Sequence, residues 1–85
     1  MPRFFFDIDD GETQSTDEEG TELLDGEAAS REATSVLPEI ARNRRLGGNR
    51  RDLTCDVRNG GGQVIFTTSL SQVGRWLKQP LQEVS

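Results

Sequence analysis

The 85-residue sequence predicts an α+β fold, a two-layer β-β-α-β-β unit in which one main helix covers one face of an antiparallel sheet. Three observations carry this reading. Phe4, Phe6 and Ile8 alternate with Arg3, Phe5, Asp7 and Asp9 at the period of a strand, and Ala29, Ala33, Val36, Leu37 and Ile40 recur at the period of a helix. From Asp52 the period returns to two, with Leu53, Cys55 and Val57 on one face and Thr54, Asp56 and Arg58 on the other.

The first strand ends at Asp10-Gly11, a dipeptide that supplies positive φ for a two-residue hairpin turn, so Glu12 to Thr16 returns as a short polar edge strand. Asp17-Glu18-Glu19-Gly20 forms a second turn, and Thr21 to Leu24 leads into the helix. Asp25 is the expected N-cap, with Glu27 in the first turn where the helix dipole favours an acid. The apolar stripe of this helix is about 100° wide and packs on the sheet. Pro38 interrupts it by removing the bond to the Thr34 carbonyl, which predicts a kink or a restart. Arg42, Arg44 and Arg45 suit the negative end of the helix, and Gly47-Gly48 stops it. Asn59-Gly60-Gly61-Gly62 then turns the chain so that Gln63 to Leu70 pairs back as a hairpin. Leu70, Val73, Trp76 and Leu77 have the spacing of a short C-terminal helix with Ser69 or Ser71 as cap, and a bent continuation of the strand fits the same residues. Residues 1–79 make a single domain, followed by a loose tail at 80–85.

Composition bounds what such a domain can do. A chain this short buries roughly 60–65% of its unfolded surface, which leaves one core and no deep substrate cavity walled by a single copy. The longest apolar run, Phe4-Phe5-Phe6, is far short of a membrane span, and the N-terminus lacks a signal-peptide pattern, so a soluble, cytoplasmic protein is expected. Cys55 is the only cysteine, and histidine and tyrosine are absent. These absences remove disulfides, thiolate clusters, imidazole ligands and histidine-based nucleophilic catalysis from a single copy. No enzymatic activity and no cofactor are expected.

The net charge of −5 is unevenly divided: residues 1–40 hold twelve acids and two arginines, residues 41–85 eight bases and three acids. The densest acids surround the first hairpin. Asp7 and Asp9 share a strand face about 6.7 Å apart and are the nearest approach to a cation site. The surrounding residues do not follow a calcium-loop pattern, because a loop beginning at Asp7 has Gly11 at position 5 and Glu12 at position 6. Solvated turn acids that blunt the sheet edge are the simpler reading, and no metal site is expected. Arg42, Arg44, Arg45, Arg50 and Arg51 surround Gly47-Gly48-Asn49 and form a basic patch suited to phosphates or an acidic protein surface. Helix-end neutralisation accounts for three of the five. Gly60-Gly61-Gly62 lacks the Lys-Ser/Thr and helix of a phosphate loop and reads as a turn. Cys55, between two core positions, reads as a small buried hydrophobe.

Nearly the whole chain resembles a bacterial family of short proteins known only as a domain of unknown function. The shared elements are Pro2 to Phe6, Asp10-Gly11, Asp17 with Gly20, Glu22 and Leu23, then Glu27-Ala28, Glu32-Ala33, Leu37 with Glu39-Ile40-Ala41, and Val57-Arg58. Position 7 is often histidine in that family, and Asp7 here speaks against histidine chemistry. The resemblance implies the fold and no activity. In order of elements the chain is also similar to the antitoxin halves of small toxin–antitoxin pairs, a likeness of architecture alone.

One helix leaves the second sheet face uncovered, and Phe5, Ile65 and Thr67 are expected there, with Trp76 nearby. The sequence therefore points to a non-enzymatic binding module. It is expected to act through this helix-free face, pairing with itself as a homodimer or with another small protein. Nucleic-acid or antitoxin-like binding by the loop 42–51 is the alternative. No membrane partner is expected.

Overall fold

A computed structural model of the chain describes residues 1–43 and 50–78. The elements are β1 (Arg3–Asp9), β2 (Gln14–Ser15), β3 (Thr21–Glu22), α1 (Gly26–Asn43), β4 (Arg50–Arg58) and β5 (Val64–Val73). They form an α+β fold with an antiparallel sheet ordered β2-β1-β4-β5, in which β3 also pairs with β1.

The core follows from the alternation in the sequence. Phe6 faces Val57 and Ile8 faces Cys55 across β1 and β4, while Val57 faces Phe66 and Leu53 faces Leu70 across β4 and β5. Directly opposed residues share a sheet face. Onto this face α1 lays Ala29, Ala33 and Leu37, which are buried with Phe4, Ile8, Leu53, Cys55 and Val57. The small alanines let the helix axis come close to the strands. Asp25 caps the helix, its Oδ1 accepting from the Ala28 amide at 2.9 Å and its carbonyl from the Ala29 amide at 3.1 Å.

The helix runs unbroken through Pro38, and no restart occurs. Pro38 and Thr34 both lie on the exposed side of the helix, where a missing backbone bond costs less than it would in the core. The expected stop at Gly47-Gly48 and the tail at 80–85 fall outside the described residues.

Three departures from the sequence reading concern the strands. First, the turn at Asp10-Gly11 is longer than two residues: Asp9 pairs with Gln14, the Asp10 amide donates to the Thr13 carbonyl, and Gly11 takes φ 92°. Second, Thr21–Glu22 is a strand of its own, pairing with Phe4 and Arg3 on the edge of β1 that β2 has already left. Third, the C-terminal helix is not formed. β5 continues to Val73, and residues 74–78 are irregular, so the bent-strand alternative describes this stretch better.

Between β2 and β3 the edge of β1 is completed by a side chain. The Asp17 carboxylate accepts from the Phe6 amide at 3.1 Å through Oδ2, and through Oδ1 from the amides of Glu19 at 3.2 Å and Gly20 at 3.0 Å. Its own amide donates to Asp7 Oδ1 at 3.0 Å. Turn and strand are thus tied together where backbone pairing lapses. Arg3 reinforces the tie by donating to the Glu19 carbonyl at 2.8 Å.

Candidate functional site

The centre of the helix-free face is built in three rows by the register. Asp9, Thr54 and Ser69 form one, Asp7, Asp56 and Thr67 the next, and Phe5, Arg58 and Val64 the third. Apart from Phe5 and Val64 these rows hold acids, hydroxyls and one arginine; the register continues the face with Asp52 opposite Ser71 and Arg50 opposite Val73 at one end, and Arg3 opposite Glu22 at the other. Asp7 directly opposite Asp56 is a like-charge pair, unfavourable by itself. Each acid has its own compensation: Thr67 donates to Asp56 Oδ1 at 2.7 Å, and Arg58 pairs with Asp7.

Arg58 is the centre of this face. Its Nε donates to Asp7 Oδ2 at 2.6 Å and its Nη2 to Asp7 Oδ1 at 3.2 Å and to the Asp17 carbonyl at 2.9 Å. The same guanidinium stands 5.0 Å from the centroid of the Phe5 ring. The bidentate pairing with Arg58 holds the Asp7 carboxyl below its ordinary pKa against the opposing effect of burial, with the Asp17 amide adding to it. Phe5 is consequently half-buried rather than open: Arg58 lies over it, and Gly20 packs so closely that a Cβ there would stand 2.8 Å from its ring.

The residues expected to bind a partner are separated by the fold. Phe5 and Thr67 do lie on the helix-free face, and each is already engaged within the chain. Ile65 does not lie there. The register slips between Val57 and Arg58, so that Arg58 opposes Val64 and Val57 opposes Phe66, leaving Ile65 as a bulged residue. The bulge turns Ile65 toward the helix, its Cδ1 3.6 Å from the position of a Cβ on Gly26, and puts Val64 on the helix-free face instead. Trp76 follows the end of β5 and is 63% exposed.

Asp7 and Asp9 are not brought together as cation ligands, since Asp7 pairs with Arg58 and Asp9 Oδ1 accepts from the Gly11 amide at 2.8 Å. Among the described residues no group of three or more histidine, cysteine or acidic side chains is placed to hold a metal. Arg42 is exposed in the last turn of α1. Arg44 and Arg45 lie outside the described residues, as do the side chains of Arg50 and Arg51, so the basic patch is seen only at Arg42. Cys55 is fully buried, and burial, with Asp56 and Asp7 adding to it, pushes its thiol up to about 11. No helix among the described residues is long and apolar enough to cross a membrane.

A different feature is left open. β5 is ten residues long, lies at the end of the sheet, and among the described residues pairs only with β4. Its sequence, Val-Ile-Phe-Thr-Thr-Ser-Leu-Ser-Gln-Val, contains no charge, no proline and no glycine. Natural edges are normally guarded by charges, proline or bulges, and of these β5 has only the bulge at Ile65, near its start. Val64, Ile65, Leu70 and Val73 are all exposed along it. The strand was legible as the return arm of the hairpin after Asn59, but that it forms an edge depends on the strand order.

The model of a family described as "Domain of unknown function (DUF6894)" matches residues 3–71. No curated protein and no solved structure matches the chain.

Proposed function

This chain belongs to the DUF6894 family, and we propose that it is a small non-enzymatic binding module that recognises an extended protein segment by strand addition at β5. The observation that carries this reading is the ten-residue edge without charge, proline or glycine. Such an edge presents unpaired backbone donors and acceptors and a row of apolar side chains to any strand laid beside it. The helix-free face supports the role less well, because its polar groups are paired with one another and Phe5 is covered by Arg58.

Amide hydrogen exchange along β5 tests the reading, measured by NMR on the protein over a dilution series and again with an excess of a synthetic peptide of residues 63–74. The expected result is slowed exchange at alternate β5 amides under at least one of these conditions, and its loss in Ser69→Lys. Equally fast exchange at those amides in the concentrated protein and in the presence of peptide would overturn it.

A further inference from the structure

We infer that the strand added to β5 is the β5 of a second copy, antiparallel, with the two-fold axis passing between the two Thr68 residues. The inference rests on the strand-addition reading and names its partner. Two observations select a second copy over a foreign segment. The chain as a whole is strongly charged and divided into acidic and basic halves, yet β5 carries no charge with which to select a partner by electrostatics. A strand without charge pairs with itself without placing like charges opposite each other.

The second observation is the pattern of the strand. Outward from Thr68 the sequence reads Thr67 and Ser69, then Phe66 and Leu70, so over this central stretch hydroxyls answer hydroxyls and apolar residues answer apolar residues, while farther out Ile65 meets Ser71 and Val64 meets Gln72. A two-fold interface requires this self-complementarity, because residue i meets j while j meets i. With the axis through Thr68, Phe66 lies opposite the partner's Leu70, and Leu70 opposite the partner's Phe66. Both belong to the helix-covered face, where Phe66 packs against the core and opposes Val57, and Leu70 is 37% exposed while opposing buried Leu53. On the other face Thr67 lies opposite the partner's Ser69. Moving the axis to Ser69 would instead set Thr68 against Leu70 and Phe66 against Gln72, leaving Ile65 with Val73, at the bulge, as the apolar pair. An axis perpendicular to the sheet keeps both helices on one side, so the two cores join edge to edge and cover Leu70 and Phe66.

Sedimentation equilibrium combined with register-specific cross-linking tests this. Cys55 is buried and needs no replacement. Thr67→Cys and Ser69→Cys proteins are mixed in equal amounts and oxidised mildly. The expected results are a dimer for the natural chain, disulfides between unlike variants in clear excess over those between like variants, and a dissociation constant weakened roughly tenfold or more by Ser69→Lys, which sets two lysines diagonally across the axis. Ser71→Lys provides a second exposed variant if Ser69→Lys alters the circular dichroism. A chain that stays monomeric at millimolar concentration overturns the inference, as does a dimer indifferent to both lysines or a cross-link pattern without preference for unlike pairs. Monomeric protein whose β5 amides are still protected by the peptide would remove the second copy and leave strand addition standing.

Discussion

Arg58 on β4 and Asp7 on β1 are joined by two hydrogen bonds, at 2.6 and 3.2 Å, although the backbone register sets Arg58 opposite Phe5. The arginine leans one row along the sheet, laying its guanidinium over the ring it opposes and its donors on the acid beyond. One side chain thereby closes the helix-free face over its largest apolar group and relieves the opposition of Asp7 and Asp56.

Replacing Arg58 is therefore expected to cost more than a surface ion pair. Arg58→Ala should lower the unfolding free energy measurably, since it also uncovers Phe5 and frees the Asp17 carbonyl. Arg58→Lys should recover less than half, because an ammonium cannot serve Asp7 with two donors while lying flat on a ring. Urea denaturation of the three proteins measures both. Equal stability of the lysine variant and the natural chain would contradict the bidentate role.

Acid should weaken the fold through Asp7. Its pKa in the folded chain lies below the ordinary value of 3.8, so its stabilising contribution is complete above that value and is lost as pH falls through the lower, folded-state value. Asp7→Asn should remove roughly 1–2 kcal/mol at neutral pH and flatten the acid limb of stability against pH. Thermal melts from pH 7 to pH 2 compare the two chains. Parallel curves across that range would mean that Asp7 contributes nothing to acid sensitivity.

Glycines 11 and 20 both take positive φ, 92° and 74°, but only Gly20 is confined. A Cβ at position 20 would lie 2.8 Å from Arg3 Cγ, 2.8 Å from Phe5 Cε2 and 2.9 Å from the Phe4 carbonyl oxygen, whereas at position 11 nothing lies within 4 Å. Gly11→Ala should cost about 1 kcal/mol for the backbone conformation alone. Gly20→Ala should cost at least about 2 kcal/mol by adding the clash with a main-chain oxygen. Denaturation midpoints decide, and equal losses would show that the turn yields around position 20.

Much of this architecture was legible because one-face burial imposes a period. The alternation of Leu53, Cys55 and Val57, the N-cap at Asp25 and the turn after Asn59 each rest on local rules, and each is present. The bulge at Ile65 was not legible. The bulged residue itself is no glycine and takes no positive φ, so nothing at position 65 marks it. Without it Ile65 is assigned to the wrong face. The role of Asp17 was hidden for a related reason: a turn acid looks solvated in sequence, and only the gap between β2 and β3 makes its carboxylate a partner for the Phe6 amide. Of the candidate site, the residues of the helix-free face were named in part, while the β5 edge depends on strand order, which short-range patterns do not encode.

The Asp17 tie also fixes a number. The outer flank of β1 is taken up by two short strands of two residues each and by a carboxylate already holding three amides, with Glu12, Glu18, Glu19 and Glu22 ranged along it. That flank offers no continuous ladder and repels its own kind. The sheet thus has a valence of one. Any chain that docks on β5 ends growth rather than propagating it, so this uncharged strand can be kept without the molecule becoming a monomer unit for a fibre.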